Sequence, residues 1–157
     1  MSILDIIIVL AMTSGSVITG LLFAFSNFAL QSLADLDPKN GSLAMQLINR
    51  KIQNPLFLFL FLGSPVLCIA GLVLSIFGGG HGGSSFFIAG SLLYLFGPFG
   101  ITVRCNVPLN NQLDRMDSDS AAQFWPEYQR RWQFWNHIRT YIGIASVLVF
   151  AIGLATS

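Results

Sequence analysis

The residues best suited to chemistry lie in the stretch Trp125–Arg139, WPEYQRRWQFWNHIR. Read on a helix, Trp125, Tyr128, Trp132, Trp135, Asn136 and Arg139 recur at steps of three and four and share one stripe. More polar side chains stand where other apolar stretches begin or end: Asn49 before the second, and Arg104, Asn106 and Asn110 at the end of the third. Asn136, His137 and Arg139 begin the fourth. An amide offers donors and acceptors together, and an arginine offers a fixed fork of donors. Gathered at one mouth, they would hold an anionic oxygen such as a phenolate, an enolate or a lipid phosphate. The plainer reading is a network that caps helices and ties loops, with arginines reaching to headgroups.

His137 is the titratable side chain of this group with a reference pKa near neutrality, which suits a general base. The other histidine, His81, is expected across the membrane, and no His–His, Cys–His or Glu-x-x-His spacing occurs. A protein-bound transition metal is therefore not expected, and no cofactor is assigned. A haem held from one side by His137 is the remaining alternative.

Positioning such groups falls to a very apolar chain. Of its 157 residues, 54% are hydrophobic and 10% charged, with mean hydropathy +0.68. A soluble domain carries about 25% charged residues. Net charge of +1, without a basic run, gives no reason to expect a nucleic acid partner. Uncharged windows cover Ile6–Ala34, Ile52–Gly80, Gly82–Val103 and Thr140–Ser157. Each approaches or exceeds the roughly 20 residues that a helix needs to cross a bilayer. Spans are expected near residues 3–30, 55–77, 85–105 and 137–155 of a single domain, 1–157. The backbone must satisfy itself in lipid, so these are helices. The N-terminal segment lacks a basic region and a cleavage site, and reads as a retained span.

The fold expected is all-α: an antiparallel bundle of four transmembrane helices with short amphipathic interfacial helices on the cytoplasmic side. Glycines at 78, 79, 80, 82 and 83 make a tight link between the second and third spans. All eight basic residues, Lys39, Arg50, Lys51, Arg104, Arg115, Arg130, Arg131 and Arg139, fall in or beside the first and third loops. The positive-inside rule makes that side cytoplasmic and leaves both termini of this multi-pass protein outside. Ser42–Lys51 reads as a short helix, and Asp119 or Ser120 would cap a second interfacial piece that includes Pro126.

Within the spans, Ser16, Gly20 and Ala24 suggest a groove for close helix contact. Gly97, Pro98 and Gly100 predict a kink. The phenylalanines at 23, 25, 28, 57, 59 and 61 read as facing lipid or neighbouring helices. Cys68 and Cys105 would differ in depth by roughly 15 Å, too far for a disulfide.

MQLIN (Met45–Asn49), TVRCNVPLN (Thr102–Asn110), FAFS (Phe23–Ser26) and the Trp125, Tyr128, Trp132, Asn136, Arg139 series together resemble the small four-helix membrane proteins grouped as anthrone-oxygenase-like. The resemblance runs over essentially the whole chain. It implies binding of a lipophilic aromatic or quinone-like molecule at the cytoplasmic mouth, and its oxidation by dioxygen without metal or flavin. On that reading His137 or a water takes a proton, while Arg139, Asn106 and Asn136 stabilise the oxyanion. Trp132 and Trp135 stack on the rings, with Asn49 and Asn110 completing the binding site. The partners would be membrane lipid and a lipophilic small molecule. The competing reading, from the small-residue grooves and short loops, is a non-catalytic accessory or scaffold subunit in a homo-oligomer or larger membrane complex.

Overall fold

The computed structural model describes residues 2–78 and 82–157, so part of the glycine link, with His81, lies outside the described residues. Long helices dominate, and the described residues contain no strand. We number them α1 (Ile3–Ala34), α2 (Pro38–Lys51), α3 (Pro55–Phe77), α4 (Ser84–Asp114) and α5 (Ser118–Ala155). Four of these, α1, α3, α4 and α5, are long and apolar enough to cross a membrane.

Local chemistry sets the starts. Ser2 and Asp5 form a reciprocal capping box at α1. Asp37 caps α2 and Asn54 caps α3, each followed by a proline whose missing N–H costs nothing in the first turn. Asp117 caps α5 by accepting from Asp119 N (3.1 Å) and Ser120 N (2.9 Å).

Two expectations are corrected here. The cap of the last helix is Asp117, two or three residues before Asp119 or Ser120, and the helix runs unbroken into the fourth apolar stretch. A single 38-residue helix runs through Pro126. Its buried stripe continues from Ala121 through Trp125, Tyr128, Trp132, Asn136, Arg139, Gly143 and Ser146 to Gly153, so packing holds both halves to one axis. Pro126 itself points outward. Nor do Ser16, Gly20 and Ala24 form the close-contact groove. Gly20 is exposed with open space around it, and Gly15 makes the approach instead, against the Tyr94 ring.

Elsewhere the small residues act as expected. A methyl group on Gly97 would collide with Ile142, and one on Gly143 would lie 2.7 Å from Thr19 Oγ1. Around Pro98, departure from α geometry takes the form of a π-helical stretch, Leu95–Asn106. Proline removes one ladder donor there, and the Thr102 hydroxyl donates to the Pro98 carbonyl. A shorter π stretch, Phe25–Ala29, interrupts α1. Such insertions are frequent at functional sites. Both cysteines are free.

Helix α2 buries polar side chains beside Met45 and exposes two leucines. Ser42, Gln46 and Asn49 are buried, whereas Leu43 and Leu47 are exposed. Gln46 Nε2 donates to the carbonyls of Leu113 (2.8 Å) and Met116 (3.1 Å), which ties α2 to the end of α4. Exposed Arg50–Asp114 and Lys39–Asp119 pairs join the first and third loops at the same end of the bundle. Large apolar side chains such as Phe59, Val66, Ile69, Phe96 and Leu148 line the outside. That surface suits lipid, not water.

Candidate functional site at a buried guanidinium

Arg139 is only 4% exposed. Its Nε and Nη2 donate to Asn136 Oδ1 at 3.0 and 2.7 Å, and its Nη1 donates to Thr102 Oγ1 at 2.7 Å. The guanidinium carbon sits 5.0 Å from the centroid of the Trp132 ring. Every ion pair among the described residues lies elsewhere, at Lys39–Asp119, Arg50–Asp114 and Arg131–Glu127. The buried cation is thus held by neutral acceptors and an aromatic face. Burying a charge without a counter-charge costs several kcal/mol, which such partners offset only in part.

Neighbouring helices fix this arrangement. Asn136, fully buried, donates through Nδ2 to Leu22 O (2.9 Å) and Ser26 Oγ (2.7 Å) of α1. Ser26 belongs to the π stretch of α1, and Thr102 to that of α4. Each π stretch therefore supplies one support of the clamp. Trp132 Nε1 and Tyr128 OH both donate to Asn110 Oδ1 at 2.8 Å. Asn106 Nδ2 donates to the Trp132 carbonyl at 3.2 Å, while its Oδ1 is buried without a partner.

A cavity of about 410 Å³ opens in front of Arg139. That volume falls in the range of small-molecule sites. One wall is polar, with Asn49, Thr102, Asn110 and Arg139 beside Trp132. The other is apolar, with Ile18, Leu21, Leu22, Phe25, Phe57, Leu58 and Phe61. Gln53 and Asn111, both exposed, stand at the mouth.

Of the residues nominated from sequence, Asn49, Asn110, Trp132 and Arg139 line this cavity. Asn136 and Asn106 stand behind the wall as supports. Trp135 and His137 are not among its lining residues. Trp135 packs edge-on against Phe134 with ring centroids 5.1 Å apart. The His137 ring stacks on Tyr141, its Nε2 lies 3.2 Å from Gln133 Nε2, and its Nδ1 has no partner. Phe25, Phe57 and Phe61, read from sequence as facing lipid or helices, line the apolar wall. Thr102 was missed as a participant; its place four residues after Pro98, inside TVRCNVPLN, was the available signal.

No group of three or more His, Cys, Asp or Glu side chains among the described residues is placed to hold a metal ion. The fold and site together describe a helical, multi-span membrane protein with a ligand-sized lipophilic cavity and one desolvated cation. The chain matches the family model described as Anthrone oxygenase over residues 57–149, more than half its length, and it belongs to that family. The matched region contains Thr102, Asn110, Trp132, Asn136 and Arg139; Asn49 and α1 precede it. No curated protein and no solved structure matches the chain.

Proposed function

We propose that this protein binds a lipophilic aromatic molecule in the cavity before Arg139 and stabilises an anionic oxygen on it. The observation that carries this reading is the buried guanidinium, without a carboxylate partner, opening onto a mostly apolar cavity. An oxyanion there would supply the missing charge, and stabilising developing charge is the largest common contribution to catalysis. The membership of the anthrone oxygenase family supports the reaction class: an anthrone methylene loses two hydrogens and gains one oxygen atom from dioxygen, the second oxygen leaving as water. Loss of the first proton gives a delocalised oxyanion, which Arg139 would stabilise while the ring rests beside Trp132 and Phe61. Since His137 does not line the cavity, a water entering past Gln53 and Asn111 is the better proton acceptor.

The lipid-facing exterior and the apolar lining of the cavity support entry of substrate from the bilayer. The basic residues of the first and third loops support an antiparallel arrangement of the four spans with α2 at the cytoplasmic interface and both termini outside. The cavity favours ligand binding over an accessory subunit, for which no space between the helices would be needed.

The test is Arg139→Gln in the detergent-solubilised protein, assayed for anthrone-dependent oxygen uptake and for binding of naphthoate, a planar aromatic anion. Both should fall at least about tenfold with helix content unchanged. Wild-type uptake and affinity in the variant would defeat the reading.

A further inference from the structure

Exposure singles out where the cavity opens. Four of its lining residues are exposed: Gln53 just before α3, Leu58 within it, and Val107 and Asn111 in the last turns of α4. The lining residues supplied by α1 and α5 are all buried or half-buried. Three seams between the spans are closed at this depth. Ile18 and Leu22 of α1 pack on Phe61 of α3, all three buried. Asn136 ties α5 to Leu22 and Ser26 of α1. Arg139 Nη1 donates to Thr102, and Asn106 Nδ2 to the Trp132 carbonyl, which holds the end of α4 on α5. The fourth seam parts. Helix α3 packs along Ser84–Tyr94 but meets the π stretch Leu95–Asn106 only sparsely. The rings of Phe61 and Phe99, with centroids 5.4 Å apart, floor the gap that results.

Resting on the cavity reading above, we propose that the gap between α3 and the end of α4 is a side portal through which a planar lipophilic ligand passes between bilayer and cavity, with Leu58 and Val107 as its gate. Asn111 lies one turn beyond Val107, so the opening has a polar edge about 6 Å along the helix from an apolar one. Such an opening suits the boundary between headgroups and hydrocarbon, where aromatic rings with a polar tip come to rest. The ligand slides past the two aliphatic side chains, and water keeps to the Gln53 and Asn111 edge. The competing route is a lipid-facing groove of about 500 Å³ beside α1 and α3, lined by Val17 and Phe59 among others. It shares no lining residue with the cavity.

The full chain in phosphatidylcholine vesicles is probed with 9-anthroate, a lipophilic aromatic carboxylate that accepts energy transfer from tryptophan; Trp132 lines the cavity. Stopped-flow mixing times its uptake, and addition of excess naphthoate times its release. A gate raises one barrier in both directions, whereas a changed contact alters mainly release. Leu58→Phe with Val107→Phe should slow uptake and release together, each at least about fivefold. Leu58→Ala with Val107→Ala should speed both, and decides the matter if the phenylalanine pair does not fold, as judged by helix content. Val17→Phe, in the other groove, should change neither rate. Rates unaltered in the folded pairs, or slowed by Val17→Phe instead, overturn the portal alone. Wild-type protein that shows no energy transfer displaceable by naphthoate defeats the cavity reading and the portal with it.

Discussion

Asn136 Oδ1 accepts two hydrogen bonds from Arg139, three residues further along the same helix, while its Nδ2 is anchored to Leu22 O and Ser26 Oγ of α1. One amide therefore fixes the guanidinium and locks two helices together. Asn136→Leu removes all four bonds and strands a buried charge. It should destabilise the protein by about 3 kcal/mol, at the lower end of what breaking a buried charged pair costs. Denaturation in mixed micelles against wild type measures the loss, and a change under about 0.5 kcal/mol would show that the clamp is not structural.

Thr102 offers the complementary experiment. Thr102→Asp places a carboxylate where Arg139 Nη1 now meets a hydroxyl. The internal ion pair should keep the helices assembled and lower naphthoate affinity at least about tenfold, because the cation no longer needs an external partner. Retained affinity would indicate that the anion binds elsewhere.

Two glycines predict opposite outcomes. Gly143→Ala puts a methyl against Thr19 and the Pro98 ring and should cost about 1–3 kcal/mol. Gly20→Ala meets open space, and alanine's higher helix propensity should leave stability equal or up to about 1 kcal/mol greater. Thermal unfolding of the pair in one detergent makes the comparison.

Acid sensitivity follows from the two aspartate caps. Asp37 and Asp117 are held below the usual carboxylate value of 3.8, chiefly by the backbone N–H groups of Asn40 and Ser120 respectively. A carboxylate with a depressed folded-state pKa contributes stability that is fully present above its unfolded value and is lost as pH falls through the folded one. The melting temperature should therefore decline below about pH 4. Asp37→Asn with Asp117→Asn, which keeps a capping oxygen without the titration, should flatten that limb. An unaltered acid limb would place the sensitivity in other carboxylates.

The orientation is accessible to labelling. With Cys68 and Cys105 replaced by alanine, Ser118→Cys should react with an impermeant maleimide only from the cytoplasmic side, and Thr156→Cys only from the outside. The reverse pattern would overturn the assignment made from the basic loops.

Much of this architecture was legible in the chain because the helix and membrane signals are local. The uncharged windows located the spans, and the second begins at Pro55 as expected, whereas the short helix read as Ser42–Lys51 begins four residues earlier, at Pro38, capped by Asp37. The Trp132, Asn136, Arg139 spacing brought the clamp residues to one face. Residue 137 falls about 100° away from 136 on a helix, so a stripe centred on Asn136 and Arg139 could not also present His137. Its near-neutral reference pKa had outweighed that geometry. Pro126 lies inside one continuous helix, as a buried stripe longer than any local window runs on both sides of it. The π stretches had no local signature beyond Pro98.

The π stretch of α4 also sets the phase between its two ends. Phe87, Gly90 and Tyr94 are buried before it, and Asn106 at its end and Asn110 just beyond it face the clamp. Deleting one residue between them would rotate the two sets about 100° relative to each other around the helix axis. A length change of a single residue there would turn the amides out toward lipid while leaving the first half of the helix seated, so the register of this segment, as much as any side chain, specifies the pocket.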